Sequence, residues 1–424
     1  MEFIRVLTNP KRCMQRLGFL KPLIWQASRT ATNNLSTLGN QLIDSVLQKL
    51  SVTLTPQLQE YIKIALTETQ RKTNQGIISK SFNDEPEEVR VQLELQDVLL
   101  SNSDLPSRRG KLVKEDWKRY PYLALNLGLL RKGTYSILVR GQSFLSLVSS
   151  DEIKEFGKSV TKQVDRGSNP LLLTIPQKIL LLFSFIEGDG DVLKPLYKRL
   201  LQTSEEFLDR EVGGFLPDIY RDIIKENRSK ARSGDDLLKI QKLLDTADKI
   251  QRWTKVKRTG GKDILTDSIT PRLEPLVDLG LLSKPDPFAY RYQINDATKK
   301  FFDSLINSEN IDHFLKHSFF NGINEAFSLK RKDQPDTDVI LSTIQKAYDI
   351  LKSPLGYVPI LEVTLLAGIY SLTEVGTFFE ISQATDTLKS LQKERPELVR
   401  FNVDRWGVLT FVKFSNDIKK VIEG

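Results

Sequence analysis

Apolar positions recur at helical spacing through most of the chain. Between Leu54 and Gln75 they fall at Leu58, Tyr61, Ile62 and Leu66, a one-sided stripe of period 3.6. The run Asn-Asp-Glu-Pro-Glu-Glu at 83–88 places acids ahead of a helix over Val89–Leu100, where they suit the positive end of its dipole. Further helices are predicted over 113–127, from Gly141 onward, and over 176–186, 204–227 and 235–253. The same spacing predicts helices over 269–279, 299–306, 339–351, 360–369 and 382–393, the last with Ser382 as N-cap. Strand patterns are short. They cover 133–139, 290–294, and the pair 399–403 and 408–414, joined by Asp404-Arg405-Trp406-Gly407 as a hairpin. Glu187-Gly188-Asp189-Gly190-Asp191 reads as a tight turn. The predicted fold class is mainly α with small β-hairpins.

One step in this pattern occurs twice. Leu127-Gly128-Leu129-Leu130 and Leu279-Gly280-Leu281-Leu282 each follow a predicted helix and precede a strand and then another helix. Glycine at the end of each helix suits a left-handed C-cap. Helix, Leu-Gly-Leu-Leu step, strand and helix in this order resemble the winged-helix superfamily. Three helices and a hairpin at the C-terminus resemble it too, without that step. The resemblance implies tandem winged-helix domains plus N-terminal helices. It divides the chain into an N-terminal helical region with a basic arm (1–82), a winged-helix-like unit (83–165), a second unit with a helical insertion (166–330) and a third (331–424). A charged, Pro-containing linker over 330–338 precedes the last unit. The architecture is also similar to recognition modules of type IIS restriction endonucleases and to plasmid replication initiators, which implies a defence, restriction or mobile-element role.

Composition fits this picture. The 424 residues exceed what one core usually organises. Hydrophobic residues at 40% and charged residues at 27% suit a folded, soluble chain, and cytoplasmic or nucleoid-associated localisation is expected. No apolar run approaches a membrane span, so no membrane partner is expected. The formal net charge is +8, compatible with an anionic partner. The basic N-terminus, with Arg5, Lys11, Arg12, Arg16, Lys21 and Arg29 and no acid between Phe3 and Ile43, reads as a solvated helix, a DNA-touching arm or a transit peptide.

Cations cluster beside the repeated step. Lys249, Arg252, Lys255, Lys257, Arg258 and Lys262 form a run that no acid interrupts, just ahead of the helix from Ile269. On that helix Thr270, Arg272 and Glu274 read as the exposed face, with Arg272 suited to a bidentate contact with guanine. Pro275 sits awkwardly there, since it removes a helical hydrogen bond. Arg108, Arg109, Lys114, Lys118 and Arg119, interleaved with Trp117 and Tyr120, form the equivalent group of the first unit. Lys389, Lys393 and Arg405, the last at the wing tip, form that of the third. Double-stranded DNA is the expected partner, with proteins of a multi-subunit complex as the rival.

Catalytic chemistry finds little support. No Walker lysine, dinucleotide-binding glycine fingerprint or nucleophile elbow is present. The two histidines, His313 and His317, are spaced i, i+4 without the glutamate of a metalloprotease. Asp189 and Asp191 fall in a segment too short for an EF-hand. Glu152-Ile153-Lys154 fits an acid-x-Lys nuclease triplet without a supporting upstream motif, and a single cysteine, Cys13, excludes intramolecular disulfides and multi-cysteine zinc sites. No catalytic residue, metal or cofactor is assigned. A scaffold subunit and a nuclease with an unrecognised site remain the alternatives to DNA binding.

Overall fold

The computed structural model describes residues 4–7, 17–29, 120–148, 173–203, 205–254, 264–284, 291–333, 335–404 and 408–415. An extended piece at 4–7 and a 3-10 turn at Leu17–Phe19 precede α1 (Leu20–Arg29). Helix α1 buries Leu20, Leu23 and Ile24 against α2 (Tyr120–Asn126) and α3 (Val139–Ser146). Gly128 ends α2 with φ +67°, as the Leu-Gly-Leu-Leu step predicts. The strand predicted over 133–139 does not form. Arg131 N–H donates to Ser136 O at 2.8 Å and Tyr135 N–H to Arg131 O at 2.9 Å, so the chain turns, leaving one bridge between Leu130 and Ile137.

Helix α4 (Ile175–Thr203) is the longest described element, 29 residues or about 43 Å. It runs through the segment that the sequence predicts as a tight turn. Gly190 leaves room for Ile311, which a Cβ there would meet at 3.0 Å. Asp189 is buried on an ion pair described below, so the acidic pattern is a packing feature.

Where one helix is predicted over 204–227, β1 (Glu206–Leu208), α5 (Asp209–Gly213) and α6 (Leu216–Asn227) follow in turn. Then come α7 (Gly234–Thr254), α8 (Ile264–Asp278), β2 (Leu282–Ser283), β3 (Arg291–Ile294) and α9 (Asp296–Asn307). Gly280 ends the α8 step with φ +80°. The three strands form an antiparallel sheet in the order β1–β3–β2, so the strand ahead of the helices pairs with the last strand of the hairpin. Helix α8 continues past both Pro271 and Pro275.

Helices α10 (Ile311–His317) and α11 (Phe319–Ala326) lead to β4 (Lys332–Asp333), α12 (Thr337–Leu351), β5 (Val358–Pro359) and α13 (Ile360–Tyr370). The last described elements are β6 (Thr377–Phe378), α14 (Ile381–Glu394), β7 (Val399–Val403) and β8 (Leu409–Phe414). The predicted 399–403 and 408–414 hairpin is present, and its sheet repeats the earlier arrangement in the order β5–β8–β7. Strands β4 and β6 form a small parallel pair.

One apolar core extends from Ile4 to Ile381, and a second, from Ile340 to Phe414, fills the C-terminal unit. Helix α13 feeds both: Leu365 and Ile369 join the first, Val363 and Leu366 the second. A helix apolar on all sides must be enclosed, and α13 is. Among the described residues no helix is long and apolar enough to cross a membrane.

Candidate nucleic-acid interface

Helix α8 occupies the position that the sequence reading gives to a recognition helix, and the structure encloses it. Thr270 and Arg272 are buried, which corrects their expected exposure. Arg272 Nε donates to Asp189 Oδ2 at 2.7 Å and Nη2 to Oδ1 at 3.1 Å, a two-pronged pair with both side chains fully buried. Arg272 Nη1 donates to Ser268 O at 2.6 Å. The guanidinium also lies over the Tyr220 ring, 5.9 Å from its centre. Thr270 Oγ1 donates to Asp209 Oδ2 at 3.3 Å. Glu274 is buried too, accepting from Lys284 Nζ and Tyr292 Oη, each at 2.7 Å. None of these side chains is available to a base edge.

Electrostatics follow from that enclosure. Burial pushes the Asp189 carboxyl up from its ordinary range, while Arg272 and the Leu7 N–H pull it down. Burial also works against the charged form of Arg272, but Asp189 and Tyr220 outweigh it and hold the guanidinium protonated. Removing one member of such a pair strands the other charge, which costs far more than the intact pair contributes.

The N-terminal segment seals the same region. Leu7 N–H donates to Asp189 Oδ1 at 2.9 Å, Arg5 N–H to Asp191 Oδ2 at 2.8 Å, and Leu17 N–H to Asp278 Oδ2 at 2.7 Å. Arg5 also pairs with Asp312 at 2.7 Å, and Lys21 is fully buried. The carboxylates Asp189 and Asp191, weighed in the sequence as metal ligands, are therefore taken up by the chain's own donors. Arg140 joins three elements in the same manner: from α3 it pairs with Glu187 on α4 and, at 2.6 Å, with Glu362 on α13.

Exposed cations lie elsewhere. Helix α7 buries Ile240, Leu243, Ala247 and Ile250 on one face, and its opposite face carries Lys242, Lys249 and Arg252. Asp245, on that same face, accepts from Gln241 Nε2 at 2.8 Å. Helix α14 buries Ile381, Ala384, Leu388 and Leu391, leaving Lys389 and Lys393 exposed. Lys389 pairs with Asp386 at 2.8 Å, a contact that water and salt weaken. Arg400 on β7 is exposed opposite the half-buried Lys413 of β8, with which it is in register. Lys413 does not feature among the sequence candidates. The alternation of Phe411 and Lys413 with buried Val412 and Phe414 is the signal that locates it.

Lys255, Lys257, Arg258 and Lys262, the first-unit group Arg108, Arg109, Lys114, Lys118 and Arg119, and Arg405 all lie outside the described residues. So do Cys13 and the Glu152–Lys154 triplet. Among the described residues, no group of three or more His, Cys, Asp or Glu side chains is arranged to hold a metal ion. No family model matches the sequence, and no curated protein or solved structure matches it either.

Proposed function

We propose that this chain binds duplex DNA, and that its C-terminal unit, a winged helix, carries the principal contact. Helix, strand, two helices and a hairpin, with the first strand beside the last in the sheet, is the order expected of that fold. The sheet β5–β8–β7 fits this order, with α13 and α14 between β5 and the hairpin, whereas α5, α6, α7 and α8 all lie between β1 and β2 of the sheet β1–β3–β2. The observation that carries the reading is the contrast between the two helices ahead of these hairpins. Helix α8 is enclosed, whereas α14 keeps one face open, with Lys389 and Lys393 on it and Arg400 on the adjoining hairpin. Cations on the open face of a helix and on an exposed hairpin strand are accessible to phosphates. The outward face of α7 adds Lys242, Lys249 and Arg252 as a second, sequence-independent contact. In this reading the middle unit serves as the frame and the C-terminal unit as the reader.

Fluorescence anisotropy with a labelled duplex, at about 50 and about 200 mM salt, tests the proposal. Binding that weakens steeply with salt supports it, and no binding at the lower salt refutes it.

A scaffold role is the second reading, favoured by apolar exposure on the same hairpin. Val403 and Val408 are each 58% exposed and Phe411 40%. Recruitment of a protein partner that survives high salt, without DNA binding, would favour it.

A further inference from the structure

The chain has two histidines, and the fold sets them side by side. His313 and His317 lie one turn apart on α10, and both are exposed. Their rings are 4.7 Å apart between centres and inclined by only 30°. The backbone beneath them is fixed. Asn310 caps the helix by accepting from His313 N–H at 2.9 Å, while Phe314 and Leu315 on the opposite face are buried. Nothing structural requires the pair, because neither imidazole fills the core.

We propose that His313 and His317 form a two-imidazole clamp for a borderline divalent transition-metal ion of the Zn2+, Ni2+ or Cu2+ type. Two histidines at i, i+4 present their nitrogens to one point on a helix face. The rings stand close enough that rotation about their side-chain bonds can turn both toward one ion, at a metal–nitrogen distance of about 2.1 Å. Imidazole suits this class of metal, while Mg2+ and Ca2+ prefer oxygen ligands. A further observation supports the assignment. Asp386 on α14 acts on His317 with an attractive sign, which places a carboxylate charge on the neighbouring helix. Since no third protein ligand completes the set among the described residues, water fills the remaining positions and the ion exchanges readily.

This site is independent of DNA binding. Isothermal titration of the full chain with Zn2+ alone, and separately with Ni2+ alone, tests it. One equivalent is expected to bind at pH 7. His313→Ala and His317→Ala are each expected to weaken binding at least about tenfold, since losing even an outer partner of a metal ligand costs that much. Circular dichroism of both variants should be unchanged, because the side chains are exposed. Absence of saturable binding by the wild type, or equal binding by the variants, would overturn the assignment.

Discussion

Arg272 and Asp189 face each other 2.7 Å apart with no exposure on either side chain. They tie α8 to α4 at the centre of the molecule, and the Leu7 N–H closes the remaining side of the carboxylate. A residue with the chemistry of a base reader is thereby a fixed part of the frame. Arg272→Met should lower unfolding free energy by about 3–5 kcal/mol, because it leaves Asp189 buried and unpaired. In urea titrations the double variant Arg272→Met with Asp189→Leu should lose clearly less than the sum of the two single losses. Additive losses would show that the pair is not coupled.

Arg140 makes a different prediction. Its contacts with Glu187 and Glu362 link α3 to both α4 and α13. Arg140→Ala should speed amide hydrogen exchange in α3 and α13 together while the β7–β8 hairpin keeps its protection. Faster exchange in α3 alone would place the junction elsewhere.

Packing of the Phe320 ring, from α11, onto α13 depends on Gly368. A Cβ at that position would meet Phe320 Cε2 and Cζ at 2.4 Å. Gly368→Ala should therefore destabilise by about 1–3 kcal/mol, despite the better helix propensity of alanine. An unchanged or raised melting temperature would contradict the packing described.

The pH dependence of stability carries the signature of His317. Its folded-state value lies below the ordinary 6.5, so the unfolded chain binds more protons in that window. Stability from this group is present above the ordinary histidine value and is lost as pH falls through the folded value. Comparing urea midpoints at about pH 5.5 and about pH 7.5, His317→Gln should lose less stability on acidification than the wild type. Equal losses would contradict the assigned direction.

Much of the architecture is legible in the sequence because periodicity reports one-sided burial. Predicted helices over 235–253, 339–351 and 360–369 match α7, α12 and α13 to within two residues, and the 399–403 hairpin strand is reproduced. The glycines of both Leu-Gly-Leu-Leu steps take positive φ. Exposure on α8 is where the reading fails. Thr270, Arg272 and Glu274 look like a solvent face because they are polar. Asp209 lies 61 residues from Thr270, Asp189 lies 83 from Arg272, and Lys284 only ten from Glu274. Local helical periodicity registers none of these tertiary pairs. Likewise Gly188-Asp189-Gly190 has the composition of a turn, yet Arg272 and Ile311 draw it into a helix. On α14, by contrast, Ile381, Ala384, Leu388 and Leu391 mark the buried side at regular spacing, and Lys389 and Lys393 fall on the exposed side.

The central claim, that α14 and its hairpin meet the phosphates, is tested most directly by the salt dependence of duplex binding. Lys389→Ala, Lys393→Ala and Arg400→Ala, combined in one chain, remove three exposed cations and no core side chain. The slope of log K against log salt should become shallower by about 2–3, with similar loss on unrelated sequences. A slope equal to that of the wild type would contradict the claim.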